Sequence, residues 1–181
     1  MLTENTIIAA VRGNDAFKAA AESDLRMIFD LHPDINTLKA KVKYAHCRDK
    51  IIFIHLDLAD GIGKDKSGIA YAQKSGVDGI ISTRANLIKL AREAGLGTVQ
   101  RFFAVDSQSV DNITETLRSS RPDMIEIMPG VVTKVIEKLH AKLDTPIIAG
   151  GLIDSCAEIT CAFNSGASAV SVSRKELWKN G

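Results

Sequence analysis

Short apolar runs alternate with amphipathic stretches along almost the whole chain, and this alternation predicts strands and helices in turn. Residues 7–11 are all apolar, as in a buried strand, and Arg12 with Gly13-Asn14-Asp15 marks its exit, turn and helix cap. A short helix follows over 16–22, then a second strand over 25–31 and a helix over 35–45, in which Leu38 and Val42 share a face behind Pro33-Asp34. The third strand is long, 51–58, and the glycine-bearing stretch 60–66 after it reads as a loop before a helix around Tyr71. Strand four is Ile80-Ile81, strand five 98–105 and strand six 124–128, with helices over 86–94, 110–119 and 131–139. The runs 147–149 and 169–172 complete the pattern as strands seven and eight, joined through one helix.

Eight short strands separated by seven helices predict a compact (β/α)₈ TIM barrel: one domain over 1–181, its last helix truncated to 175–179 and anchored by Trp178 against the outside of the wall. A doubly wound open sheet competes. It is disfavoured because Val11-Arg12-Gly13-Asn14, after the first strand, lacks the G-x-G-x-x-G spacing of a dinucleotide turn.

Composition narrows the function classes. The chain has 181 residues, 45% of them hydrophobic, enough for one good core. With 23 basic and 22 acidic residues the formal charge is +1, so the average surface does not advertise nucleic-acid binding. Cys47, Cys156 and Cys161 share no repeated spacing and read as reduced thiols, with neither a disulfide framework nor a metal site implied. The polar start, residues 1–5, is not that of a signal peptide, and no apolar run is long enough to span a membrane, so a cytoplasmic protein is expected.

Candidate chemistry gathers where barrel strands end. Strand seven runs into Gly150-Gly151 and strand eight into Ser173-Arg174, and turn amides there form a concave donor site for a phosphate. The same glycines also suit a plain tight turn. Strand alternation puts His55 and Asp57 on one face, and Arg12, Arg84, Arg101 and Glu126 fall at or near other strand ends. Charges in an apolar interior need partners or a polar ligand, and a small polyol phosphate offers both hydroxyls and anionic oxygens. The same residues also permit acid–base chemistry, through His55 with Asp57 or Asp60 and through Glu126. The densest basic patch is Lys39, Lys41, Lys43, Arg48 and Lys50; Lys64 and Lys66, in a loop that Gly61 and Gly63 make mobile, extend it.

Taken together, H-L-D-L-A-D-G-I-G-K-D at 55–65, D-G-I-I-S-T-R-A-N at 78–86, Q-R-F-F at 100–103, I-E-I-M-P-G at 125–130 and I-A-G-G-L-I at 148–153 resemble the glycerol uptake operon antiterminator regulatory protein family. The exit of strand two, Leu31-His32-Pro33-Asp34, departs from the glutamate and histidine usual there. The resemblance implies a barrel-shaped bacterial regulator that responds to glycerol 3-phosphate and acts on leader mRNA to prevent premature termination of glycerol-utilisation genes. On this view there is no catalysis, no metal and no cofactor besides the effector. Gly150, Gly151, Ser173, Arg174, His55, Asp57, Glu126, Arg12 and Arg101 are the expected effector contacts, Lys64, Lys66, Lys39 and Lys43 the expected RNA contacts, and a homodimer stays open. An isomerase, aldolase or transferase acting on a phosphorylated polyol or sugar is the alternative, followed by a sensor with a protein partner.

Overall fold

A computed structural model describes residues 5–180 of the chain. The expectation for the polar start therefore lies, apart from Asn5, outside the described residues. Within them, eight parallel strands close into a barrel in sequence order: β1 (Thr6–Val11), β2 (Met27–Asp30), β3 (Ile51–His55), β4 (Gly79–Ser82), β5 (Gly97–Phe103), β6 (Met124–Met128), β7 (Ile147–Gly150) and β8 (Ala169–Val172), which pairs back onto β1. Seven helices alternate with them: α1 (Asn14–Ala21), α2 (Leu38–His46), α3 (Lys66–Lys74), α4 (Ala85–Glu93), α5 (Ser107–Ser120), α6 (Thr133–His140) and α7 (Cys156–Asn164). In place of an eighth helix a short 3₁₀ segment, Lys175–Asn180, follows β8. Its Trp178 is buried and donates from Nε1 to the Val172 carbonyl at 3.0 Å, so the anchor is polar as well as apolar.

Several boundaries differ from the sequence pattern, each for a local reason. The third apolar run does not stay extended: β3 stops at His55 and residues Leu56–Leu58 wind into a 3₁₀ turn that buries Leu56 and exposes Leu58. Apolar content alone cannot tell a strand from such a turn. The second helix starts at Leu38, later than expected, because residues 34–37 are taken up by an Asp34–Asp60 bridge and a turn on the Asp34 carbonyl. The stretch 60–66 is a loop, but a tied one. Asp60 exchanges backbone hydrogen bonds with Pro33 and Ile35, Ile62 is buried, and Asp65 caps α3 by accepting from the Gly68 N–H at 2.9 Å.

Two apolar clusters hold the barrel. The larger fills the space between wall and helices; the smaller fills the bore with Ile8, Met27, Phe29, Phe53, Ile81, Val99, Met124, Ile148 and Ala169. The Phe29 and Phe53 rings, 5.8 Å apart, take up much of that bore. Gly79 and Gly97 make room for them, since a Cβ at either position would run into Phe53. Inward positions recur every second residue, so one step beyond this apolar floor the strands deliver His55, Arg101, Glu126, Gly150 and Ser171 to the C-terminal end of the bore.

Candidate functional site

At that end lies a cavity of about 350 Å³, walled by the exits of β1, β2, β5, β6, β7 and β8. Its floor is an ion pair set by strand register: Arg101 and Glu126 are direct neighbours on β5 and β6, and Glu126 Oε2 accepts from Arg101 Nε at 2.6 Å. The other oxygen, Oε1, accepts from the Ser171 hydroxyl at 2.7 Å. All three side chains are buried, and all three line the cavity. Gly150 explains how the carboxylate fits, because a Cβ there would occupy the place of Glu126 Oε1 and Ser171 Oγ. Gly150 thus supplies room, and the expected ligand contact at that position is not found on the cavity wall.

The rim combines backbone with one cation, Arg12, and one acid, Asp154. Gly151 turns with φ +76°, Leu152 follows with φ +60°, and both line the cavity together with Ser173. The N–H groups of Gly151, Leu152 and Ser173 donate no backbone hydrogen bond among the described residues. Arg12 stands exposed at the lip, with no ion pair among the described residues. Arg174 behaves differently from expectation: its Nε donates to Asp154 Oδ1 at 2.7 Å, so it ties the β7 and β8 loops together and is not part of the cavity wall.

His55 and Asp57 part company. His55 ends β3, only 4% exposed, and neither ring nitrogen has a hydrogen-bond partner; the nearest acid is Asp57 Oδ2 at 3.7 Å. Burial, helped by the positive charge of Arg101 and Arg12 and opposed by Asp57, pushes the imidazole down to about 4. It is therefore neutral at pH 7. Asp57 is not on a strand, so the expected alternation fails, and its carboxylate is already engaged: Oδ1 accepts from Ser82 Oγ at 2.9 Å and Oδ2 from the Thr83 N–H at 2.7 Å. It fastens the exit of β4 and does not line the cavity.

The basic residues divide in the same way. Lys64, half-buried, turns back on its own loop and donates to the carbonyls of Ala59 and Ile62, whereas Lys66 is exposed at the start of α3. Lys39 and Lys43 are exposed on α2, but Lys41 between them is buried and pairs with Asp30 at 2.7 Å. Sequence reasoning missed Asp30 and Ser171. Ser171 was within reach, because the period-two pattern Ala169-Ser171-Ser173 marks the inward face of β8.

Among the described residues no group of three or more His, Cys, Asp or Glu side chains is arranged to hold a metal ion, and no helix is long and apolar enough to cross a membrane. Against known proteins, the chain is 36% identical over 179 residues to an uncharacterized protein, YgcP, of Escherichia coli (strain K12), covering 98% of this chain and 94% of that one. Its fold superposes with a TM-score of 0.93 on a glycerol uptake operon antiterminator regulatory protein from Listeria monocytogenes, 34% identical and covering 99% of this chain and 97% of that one. A glycerol uptake operon antiterminator-related protein from Thermotoga maritima gives a TM-score of 0.87 at 31% identity, covering 98% of this chain and 99% of that one. Residues 7–178 match the model of the glycerol-3-phosphate responsive antiterminator family, and the chain belongs to that family.

Proposed function

We propose that the cavity binds glycerol 3-phosphate without turning it over, and that the liganded protein acts on the leader mRNA of glycerol-utilisation genes to prevent premature termination. The observation that carries this reading is the division of the cavity into two ends of different chemistry. The rim offers the amides of Gly151, Leu152 and Ser173, which donate no backbone hydrogen bond among the described residues, beside the Arg12 guanidinium, a set suited to a phosphate. The floor offers the Arg101–Glu126–Ser171 cluster, whose carboxylate and hydroxyl suit the two hydroxyls of a glycerol moiety. Family membership supports both the effector and the regulatory role.

Gly151→Asp tests the rim. The new side chain meets Met128 and adds a negative charge where the phosphate approaches. Calorimetric titration with glycerol 3-phosphate is expected to lose detectable binding while circular dichroism stays native; unchanged affinity in a folded variant sinks the assignment. An enzymatic reading draws on one observation, the neutral, unpartnered imidazole of His55 beside this cluster. Saturable phosphate release or isomerisation that disappears in Glu126→Gln would favour it over the regulator.

A further inference from the structure

The overall charge balance conceals a local asymmetry. Residues 38–50, which comprise α2 and its exit, hold five basic residues and one acidic residue, so the remainder of the chain carries 18 basic against 21 acidic. A polyanion therefore meets a favourable flank here, on a chain whose remainder carries a slight negative excess.

The structure sorts the cations of this flank into those that are committed and those that face solvent. Lys41 is taken by Asp30, and Lys50 donates to the Ser23 carbonyl. Lys39 and Lys43 are exposed, have no ion pair among the described residues, and stand one helical turn apart, about 6 Å along the axis; Lys39 Nζ lies 5.9 Å from the centroid of the Tyr71 ring, which places this pair toward α3. Arg48 lies 3.6 Å from the centroid of the Tyr44 ring, and that ring packs 6.2 Å from Phe17, so its guanidinium is held in a stack before any partner arrives. Beside it runs an outer groove of about 340 Å³ between α1 and α2, walled by Phe17, Lys18, Ala40 and Tyr44. Asp15 stands at one end of the groove, and Glu22 accepts the Tyr44 hydroxyl. Two exposed lysines in line and an arginine pre-stacked on Tyr44 suit a single strand, whose phosphates follow the cations while a base stacks on the guanidinium plane.

We infer that the outer face of α2, from Lys39 and Lys43 on its α3 side to Arg48 stacked on Tyr44 on its α1 side, is the face that binds single-stranded leader RNA. This rests on the antitermination reading and gives it a surface. The flank is connected to the effector cavity through one strand: Leu31 lines the cavity, and its neighbour Asp30 holds Lys41 in the middle of α2.

The test is a mobility shift with the 5′ leader transcript of the glycerol-uptake operon of the source genome, at saturating glycerol 3-phosphate and several salt concentrations. Lys39→Gln with Lys43→Gln is compared with Lys89→Gln plus Lys142→Gln, exposed lysines elsewhere that change the charge equally. The α2 pair is expected to lose affinity on the order of tenfold and to flatten the logarithmic salt slope by about 1.4, roughly 0.7 per single-strand contact, with calorimetric effector affinity unchanged. The control pair is expected to stay within about twofold of wild type. Equal losses in both pairs, or none in the α2 pair, overturn the inference while the antitermination reading stands; a face that serves a protein partner gives the second result. Wild-type protein that binds no leader transcript under any condition overturns the reading itself, and the inference with it.

Discussion

The Arg101–Glu126 and Asp30–Lys41 pairs are both buried and both close, at 2.6 and 2.7 Å, and they lie on opposite faces of the same barrel wall. The first points into the bore. Its carboxylate has a second partner in Ser171 and fronts a cavity, so its charges have polar company and a route to a solute. The second points outward, toward the helices. Asp30 is 0% exposed and Lys41 packs 5.3 Å from the Phe17 ring, so the pair joins a strand to a helix where no ligand reaches the acid. Burial of a charge is thus no mark of function by itself. What differs is whether polar capacity faces a space that a ligand can fill.

Breaking the outer pair has the largest expected effect. Lys41→Met leaves the Asp30 carboxylate buried and unpaired, which costs about 3–5 kcal/mol of stability in a urea titration, while Asp30→Leu combined with Lys41→Met recovers most of it. In that double variant effector and RNA binding are each expected to persist, and the dependence of RNA affinity on effector to fall away. A double variant as unstable as the single one would show that the pair is more than a tie.

His55 sharpens the comparison as a buried polar group with no hydrogen-bond partner. Its folded-state value of about 4 lies below its unfolded value near 6.5. As pH falls through that window the unfolded chain takes up a proton that the folded chain refuses, so stability present above the window is lost, by about 3 kcal/mol, and the loss levels off below it. Thermal unfolding followed from pH 7 to pH 4 is expected to show this slope in the wild type and a shallower one in His55→Leu; parallel profiles would exclude the assignment.

The inner pair has the smallest expected effect, and it falls mainly on binding. Glu126→Gln keeps the shape and removes the charge that orders Arg101 and Ser171, weakening glycerol 3-phosphate by about 1–3 kcal/mol in calorimetry. Unchanged affinity would remove the floor of the cavity from effector recognition.

Much of this division was legible before any coordinates. Glu126 stands inside an otherwise apolar run and Arg101 inside a strand, where a charge demands an explanation, and Gly151 and Ser173 follow the two strands that conventionally flank a phosphate in this fold. The mate of each charge was not legible. Asp30 also stands within an apolar run, but its partner is 11 residues away on a helix whose other lysines face water, and nothing in the spacing separates Lys41 from Lys39 or Lys43. Asp57 misled because the apolar run around it predicts a strand, whereas the chain turns at Leu56 and aims the carboxylate at Ser82 and Thr83.

By itself the sequence determined the order and kind of nearly every element, and so the closed parallel barrel, because hydrophobic periodicity and turn residues act within a few positions of one another. It also determined the family, through motifs spread from residue 55 to residue 153. Tertiary structure alone decided which charges pair, which glycine makes room and which one turns at the cavity rim, and which lysines remain in solvent. Those outcomes depend on strand register and on helices crossing the wall, which bring together residues such as Glu126 and Ser171, 45 positions apart in the chain. Burial then fixes their chemistry, since a charge taken out of water is stable only where such a distant partner meets it.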